Sequence, residues 1–198
     1  AGENTSTQAN WTRNGFLPTN FAFLNDGGFL LADGYGAHCI HQFDKNGKWT
    51  RMFGGTGEGE GKFKLCHGLW VDQRQGREPS IIVTDRSHNT LQYLTMDGEY
   101  IETLTGYGLP ANVDIYKNIM MIPELKARIT LLDENNKIVG RLGEAVERVN
   151  SVKDLRRKPE LWIDGQFVHP HDACFDSEGN IFVAEWVETG RITKLTRI

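Results

Sequence analysis

Apolar residues along the chain fall in short runs, many of them alternating with polar residues, and clusters of Gly, Asn and Asp separate the runs. No segment keeps apolar residues at i, i+3, i+4 and i+7 for long, so the period is that of strands rather than helices. Runs such as 80–84 and 180–184 are rich in Ile, Val and Phe and read as buried strands. Between them, Asn25-Asp26-Gly27-Gly28 and the segment 176–180 read as hairpin turns that need residues at positive φ. Lys45-Asn46-Gly47, Met96-Asp97-Gly98 and Glu134-Asn135-Asn136 mark a further hairpin in three of the segments described next.

The pattern repeats. Four segments, starting at Phe16, Phe63, Tyr107 and Phe167, share one grammar. Each opens on an aromatic, reaches Pro18, Cys66, Pro110 or Pro170 shortly after, and continues as strand, turn, strand, loop, strand. Three or four strands in a repeat of about 40 residues is the signature of a β-propeller blade. The expected fold is all-β, with blades at 16–53, 63–104, 107–142 and 167–198.

Residues 1–15 are polar and fit no complete blade, and 143–166 form an insertion of mixed charge. Its first half, 144–155, predicts a short helix that Pro159 ends. The insertion is either a surface excursion or a wall over the propeller. The glycine-rich stretch 54–61 lacks the Lys-Ser/Thr ending of a phosphate-binding loop and reads as a linker. Four blades are few, and two arrangements follow. Either the N-terminal segment closes a four-bladed ring, or the chain is part of a six-bladed propeller with two blades elsewhere; the second is expected.

Composition narrows the function. The 198 residues suit one domain or slightly more. With 22 Lys and Arg against 26 Asp and Glu, the net charge of −4 speaks against non-specific nucleic-acid binding. No apolar run approaches the roughly 18 residues of a membrane span. Cys39, Cys66 and Cys174 form no CxxC, so a thiolate zinc or redox motif is not expected. The chain begins at Ala1 rather than Met, as a mature, processed or truncated product would.

Candidate chemistry comes from repeat-equivalent positions. Thr19, His67, Ala111 and His171 share the position after the Pro or Cys, where a blade's inner strand begins. Two imidazoles there can converge as zinc ligands, or each can be a structural histidine bonded to neighbouring strands. Tyr35 and Arg86 occupy corresponding loops after the second strand. A phenol ionises near pH 10, so a tyrosine base needs a cation beside it, and a guanidinium offers a planar fork to a carboxylate. Each also has a bland reading, as a rim tyrosine and as a bridge to Asp85. Asp33, Asp85 and Glu185 share a position and read as ties between turns. His38, His41, His88 and His169 read as structural, the scattered Trp11, Trp49, Trp70, Trp162 and Trp186 mostly as packing, and no Ser-His-Asp pattern is present.

Four short motifs give a family resemblance over 16–198. Ala32-Asp33-Gly34-Tyr35, Cys66-His67-Gly68-Leu69, Thr84-Asp85-Arg86 and Pro170-His171-Asp172 come in this order. They resemble Ser-Asp-Gly-Tyr, Pro-His-Ser-Leu, Ala-Asp-Arg and Pro-His-Asp of the lyase domain of peptidylglycine α-amidating enzymes. That domain is a six-bladed propeller of NHL-type repeats, and the match falls on its last four blades. The resemblance implies a metal-dependent lyase that splits a peptidyl-α-hydroxyglycine into an amide and glyoxylate, with a peptide or small-molecule substrate and a secreted or periplasmic location. It implies zinc on His67 and His171, Tyr35 as base, Arg86 on substrate charge, and Asp172 in a structural calcium site. The departures are Cys66 for proline, Gly36 for a disulfide cysteine, and no counterpart of the blades that carry a further zinc histidine and an arginine. The metal site is therefore incomplete in these residues. Two other readings stand beside it: a non-catalytic NHL propeller that binds a protein or ligand, and a propeller lactonase with calcium on oxygen ligands.

Overall fold

The computed structural model describes residues 15–198. The N-terminal segment 1–15, Gly15 apart, lies outside the described residues, and so does Trp11. The described residues form four antiparallel sheets with one short α-helix, the all-β architecture of a four-bladed β-propeller. They divide into two compact units, one reaching Val71 and including Ser80–Leu104, the other formed by Asp72–Pro79 and Thr105–Ile198.

In the first unit, β1 (Asn20–Phe23), β2 (Phe29–Asp33), β3 (Cys39–Phe43) and β4 (Trp49–Gly54) pair in chain order, as do β5 (Cys66–Asp72), β6 (Ser80–Asp85), β7 (Thr90–Thr95) and β8 (Tyr100–Leu104). The middle strands are the apolar ones: every residue of β6 is buried, whereas β8 alternates half-buried and exposed. Leu30, Ile40, Phe63, Leu69, Ile81 and Leu94 lie in one continuous core.

In the second unit, β9 (Asp114–Tyr116), β10 (Ile119–Glu124), β11 (Arg128–Leu132) and β12 (Ile138–Leu142) form one sheet. The other holds β13 (Pro170–Phe175), β14 (Ile181–Glu185) and β15 (Arg191–Leu195), and has three strands. Met121, Ile129, Phe167, Ala173 and Val183 build the core here. The insertion is packed rather than loose. Its helix α1 (Val146–Ser151) is shorter than the 144–155 expected from sequence, and two turns of 3-10 helix follow. Leu155 packs with Val168 and Val187, the Trp162 indole donates to the Leu155 carbonyl at 2.8 Å, and Glu188 N–H donates to Arg156 O at 3.0 Å.

The hairpins share a device beyond their glycines. Asp44, Asp133 and Asp176 each lead a turn and accept two backbone N–H groups with one carboxylate oxygen, at 2.8–2.9 Å. Thr95 does the same with its hydroxyl, accepting from Asp97 and Glu99. A side chain that bonds its own backbone two residues on pre-forms the turn.

Candidate functional site

The site grows out of one repeated bond pattern. At the end of each second strand sits a buried acid: Asp33, Asp85, Glu124 and Glu185. Each reaches back to the backbone just before the first strand of its own sheet. Asp33 accepts from Leu17 N–H at 2.6 Å, Asp85 from Lys64 and Leu65 N–H at 3.1 and 3.0 Å, Glu124 from Gly108 N–H, and Glu185 from Val168 N–H at 2.6 Å. The tie expected of Asp33, Asp85 and Glu185 is what the structure shows, and Glu124 joins them. Glu124 also pairs with Arg128 and Glu185 with Arg191, so these buried carboxylates are matched by cations.

The residue after each acid is presented by a second bond. Tyr35 N–H donates to Leu17 O at 3.1 Å, Arg86 N–H to Leu65 O at 3.0 Å, Leu125 N–H to Leu109 O at 3.1 Å, and Trp186 N–H to His169 O at 2.8 Å. Tyr35 and Arg86 are thus repeat-equivalent, and in the first unit they meet. Arg86 Nη2 donates to Tyr35 Oη at 2.7 Å, and the guanidinium carbon lies 5.4 Å from the centre of the tyrosine ring. The His67 ring stands edge-on to the Tyr35 ring, with centroids 5.8 Å apart and planes at 85°. His67 is buried at 6% exposure and Tyr35 is 49% exposed, so the three side chains run from the core to solvent.

Backbone contact holds the Tyr35 loop against the start of β5. Thr19 Oγ1 donates to Cys66 O at 2.8 Å, and Gly34 closes on the same carbonyl. A Cβ at Gly34 would lie 2.2 Å from Cys66 O and 2.6 Å from Thr19 Oγ1, so only glycine allows this approach. The loop is pinned on its other side by His38 Nδ1 on Gly34 O at 2.7 Å and by Ala37 N–H on Asp33 at 2.8 Å.

His171 and Asp172 lie in the second unit, on β13. The pairing of β13 with β14 shifts between Pro170 and Asp172, which makes His171 the extra residue of a bulge. Asp172 Oδ1 accepts from Asn112 Nδ2 at 2.7 Å and from Ala173 N–H at 2.9 Å. On β9, Asp114 has its carboxyl pushed up by burial, against which the Phe175 and Ile115 N–H groups pull it down.

The metals implied by the resemblance do not fit the residues present. Calcium takes six to eight oxygens, and Asp172 offers a carboxylate already engaged by N–H donors. A catalytic zinc takes three protein ligands, and His67 and His171 are two. Among the described residues, the one group of three His, Cys, Asp or Glu side chains with ligand atoms mutually within 4.8 Å is Asp33, Cys39 and His41, all buried. Sequence reasoning did not single out this trio. Its chemistry is that of a packed polar cluster. Trp49 Nε1–H donates to His41 Nδ1 at 3.2 Å, which leaves the imidazole proton on Nε2, facing Cys39 Sγ at 3.4 Å. Burial first, then the Asp33 charge, pushes the Cys39 thiol up to about 11, and burial lowers the His41 imidazole below its usual range. Thiol and imidazole are thereby kept neutral, and the nitrogen that would bind a metal carries the proton.

No protein-family profile matches the chain. Solved structures share its fold at low identity. A protein of unknown function from Bacteroides caccae matches at 14% identity and a TM-score of 0.63, over 92% of this chain and 64% of that one. A streptogramin B lyase matches at 14% identity and a TM-score of 0.58, over 92% of this chain and 55% of that one. The computationally designed Ika4 protein matches at 14% identity and a TM-score of 0.53, over 92% of both chains. The chain therefore spans less than two thirds of the first two of these structures. What it has in common with all three is the propeller fold, which in one of them carries a lyase.

Proposed function

We propose that the chain carries the catalytic pair of a carbon–nitrogen lyase acting on an N-acyl-α-hydroxyglycine or a similar hydroxy acid. The observation that supports this reading is the Arg86–Tyr35 hydrogen bond beside His67. The guanidinium sets a cation directly on the phenolic oxygen, the placement that a tyrosine base requires. The same guanidinium has a planar donor fork that suits the substrate carboxylate.

In this reaction Tyr35 takes the proton of the substrate hydroxyl. The electron pair of the O–H bond forms the carbonyl of glyoxylate while the C–N bond breaks, and the departing amide nitrogen takes the proton from Tyr35, which restores the base. Arg86 holds the carboxylate throughout, and His67 buttresses the ring of Tyr35. The peptide nature of the substrate and a location outside the cytoplasm belong to the same proposal.

The test is to incubate the purified chain with benzoyl-α-hydroxyglycine, with and without added zinc, and to measure glyoxylate and benzamide. Equal amounts of the two products, lost in Tyr35→Phe, are expected. Product formation no faster than in buffer under both conditions, or a rate unchanged in Tyr35→Phe, overturns the proposal. Hydrolysis of a lactone in place of lyase turnover would point to the lactonase reading.

A further inference from the structure

A groove of about 590 Å³ opens in the second unit, and neither the sequence motifs nor the proposed reaction uses it. Its size is that of a small-molecule site. Leu131, Leu142, Phe175, Ile181 and Leu195 line it with apolar surface that continues into the core of this unit. Tyr116 packs against Phe175 at 5.6 Å between ring centres and forms an aromatic wall. Gly179 makes room there, since a Cβ would stand 2.8 Å from the Tyr116 ring and 3.2 Å from Arg197 Cδ.

The polar lining has one sign. Lys117, Arg141 and Arg197 face the groove, and no Asp or Glu lines it. All three cations are exposed. Among the described residues none of the three has a carboxylate within ion-pair distance. Elsewhere Arg51, Arg74, Arg77, Arg128 and Arg191 do pair with carboxylates, in a chain whose acids outnumber its basic residues by 26 to 22. Lys117 Nζ rests instead 5.0 Å from the centre of the Tyr116 ring.

We propose that this groove binds a small amphipathic anion, a carboxylate on an aliphatic or aromatic body. The body lies on the Leu131–Phe175–Leu195 floor, and the carboxylate is met by Arg141, Arg197 and Lys117. Apolar burial supplies affinity, and the cations supply selection of an anion over a neutral molecule of the same shape.

The probes are decanoate, decanol and decyltrimethylammonium, titrated calorimetrically into the chain below their aggregation concentrations. Decanoate is expected to bind saturably at one site, about tenfold tighter than decanol, as two exposed ion pairs would allow, with the ammonium weakest. The double variant Arg141→Gln/Arg197→Gln changes exposed residues only, and it should bring decanoate down to the decanol affinity while leaving decanol unchanged. Thr196→Trp, which fills the groove from its rim, should weaken both. Circular dichroism checks that the variants keep the fold. Equal binding of decanoate and decanol, no saturable binding, or affinities indifferent to both variants overturns the proposal. So does concentration-dependent dimerisation that Thr196→Trp abolishes, which would assign the groove to a second copy of the chain.

Discussion

Arg86 Nη2 and Tyr35 Oη, 51 residues apart in the chain, meet at 2.7 Å because each follows the acid that closes its own blade. The pairing has a direct consequence for turnover. Arg86→Lys keeps a positive charge but loses the planar fork, and lysine is not equivalent at a bidentate site. On the lyase reading, Arg86→Lys should raise KM about tenfold with a smaller fall in kcat. Tyr35→Phe should lower kcat by about 10²–10⁴-fold, the usual worth of a general base. Steady-state kinetics of glyoxylate release separates the two. A variant pair that behaves alike in KM and kcat would contradict the division of roles.

The Gly34 contact predicts a stability effect at the same place. An alanine methyl would be driven into Cys66 O and Thr19 Oγ1, and overpacking of this kind costs roughly 1–3 kcal/mol. Gly34→Ala should lower the denaturation midpoint and displace Tyr35 from Arg86. Thr19→Val removes only the 2.8 Å hydrogen bond to Cys66 O, a loss of about 1 kcal/mol. Chemical denaturation of the two variants should rank them in that order.

The repeat was legible in sequence because its turns and strand ends use the same few residue types. The acid position reads clearly at Asp33, Asp85 and Glu185, each after an apolar run. It is hidden at Glu124, where the run ends Ile122-Pro123 and a proline argues against a strand. The structure accommodates Pro123 because β9 pairs only with Ile119–Met121, so that edge of β10 has no ladder partner from β9 at the proline. The approach of Tyr35 to Arg86 was suggested by their common repeat position, but the Gly34–Cys66 contact that enforces it is a close approach between distant backbones, which no periodicity encodes. The basic rim of the groove was likewise invisible. Lys117 lies in the turn after β9, Arg141 on β12 and Arg197 past the end of β15, and they are joined only by the packing of two sheets.

Asp72 predicts acid sensitivity. Its carboxylate is fully buried with Arg74 at 2.7 Å and Arg77 at 3.3 Å, and Arg74 and Arg77 also bond the 133–136 turn through Asp133 O, Asn136 Oδ1 and Glu134 O. Burial alone would raise its pKa, but the Arg74 hydrogen bonds and charge outweigh it, and the net shift is downward. A depressed carboxyl contributes stability that is complete above the unfolded value, near 3.8, and lost as pH falls through the folded value. Asp72→Asn leaves the buried Arg74 and the half-buried Arg77 without this counter-charge and should cost about 3–5 kcal/mol at neutral pH. The deficit should shrink below pH 4, because wild type then loses the same interaction. Thermal melts of both proteins from pH 2.5 to 7 give the comparison, and a constant gap would rule this out.

The thiols divide by burial. Cys39 and Cys66 are buried, and burial pushes both thiols up, Cys39 to about 11 and Cys66 further. Cys174 is exposed, though burial of its sulfur environment and the nearby Asp114 charge raise it as well. The thiolate is the reactive form. Iodoacetamide at pH 8 should therefore label Cys174 slowly and leave the other two untouched until the protein is denatured. Mass spectrometry of native and denatured samples counts the adducts, and early labelling of Cys39 would show that its environment opens.

His88 should act in the opposite direction from Asp72. Its Nδ1 lies 2.5 Å from Asp85 Oδ2, and its Nε2 lies 2.9 Å from Glu58 Oε2. Burial alone would lower its pKa, but the two carboxylates outweigh burial and raise it above the ordinary 6.5. A raised histidine contributes stability that is fully present below 6.5 and lost as pH rises through the folded value. Because Asp85 also holds the backbone of Lys64 and Leu65, loss of the imidazolium loosens the strand start that leads to His67. His88→Gln should lower the melting temperature at pH 5.5 and leave it nearly unchanged at pH 9. Glu58→Gln should show the same pH dependence at smaller amplitude, since Glu58 is exposed and its ion pair is screened. Melting curves at the two pH values decide the matter: an equal loss at both would mean that His88 contributes packing alone and that the two carboxylates hold no charge on its ring.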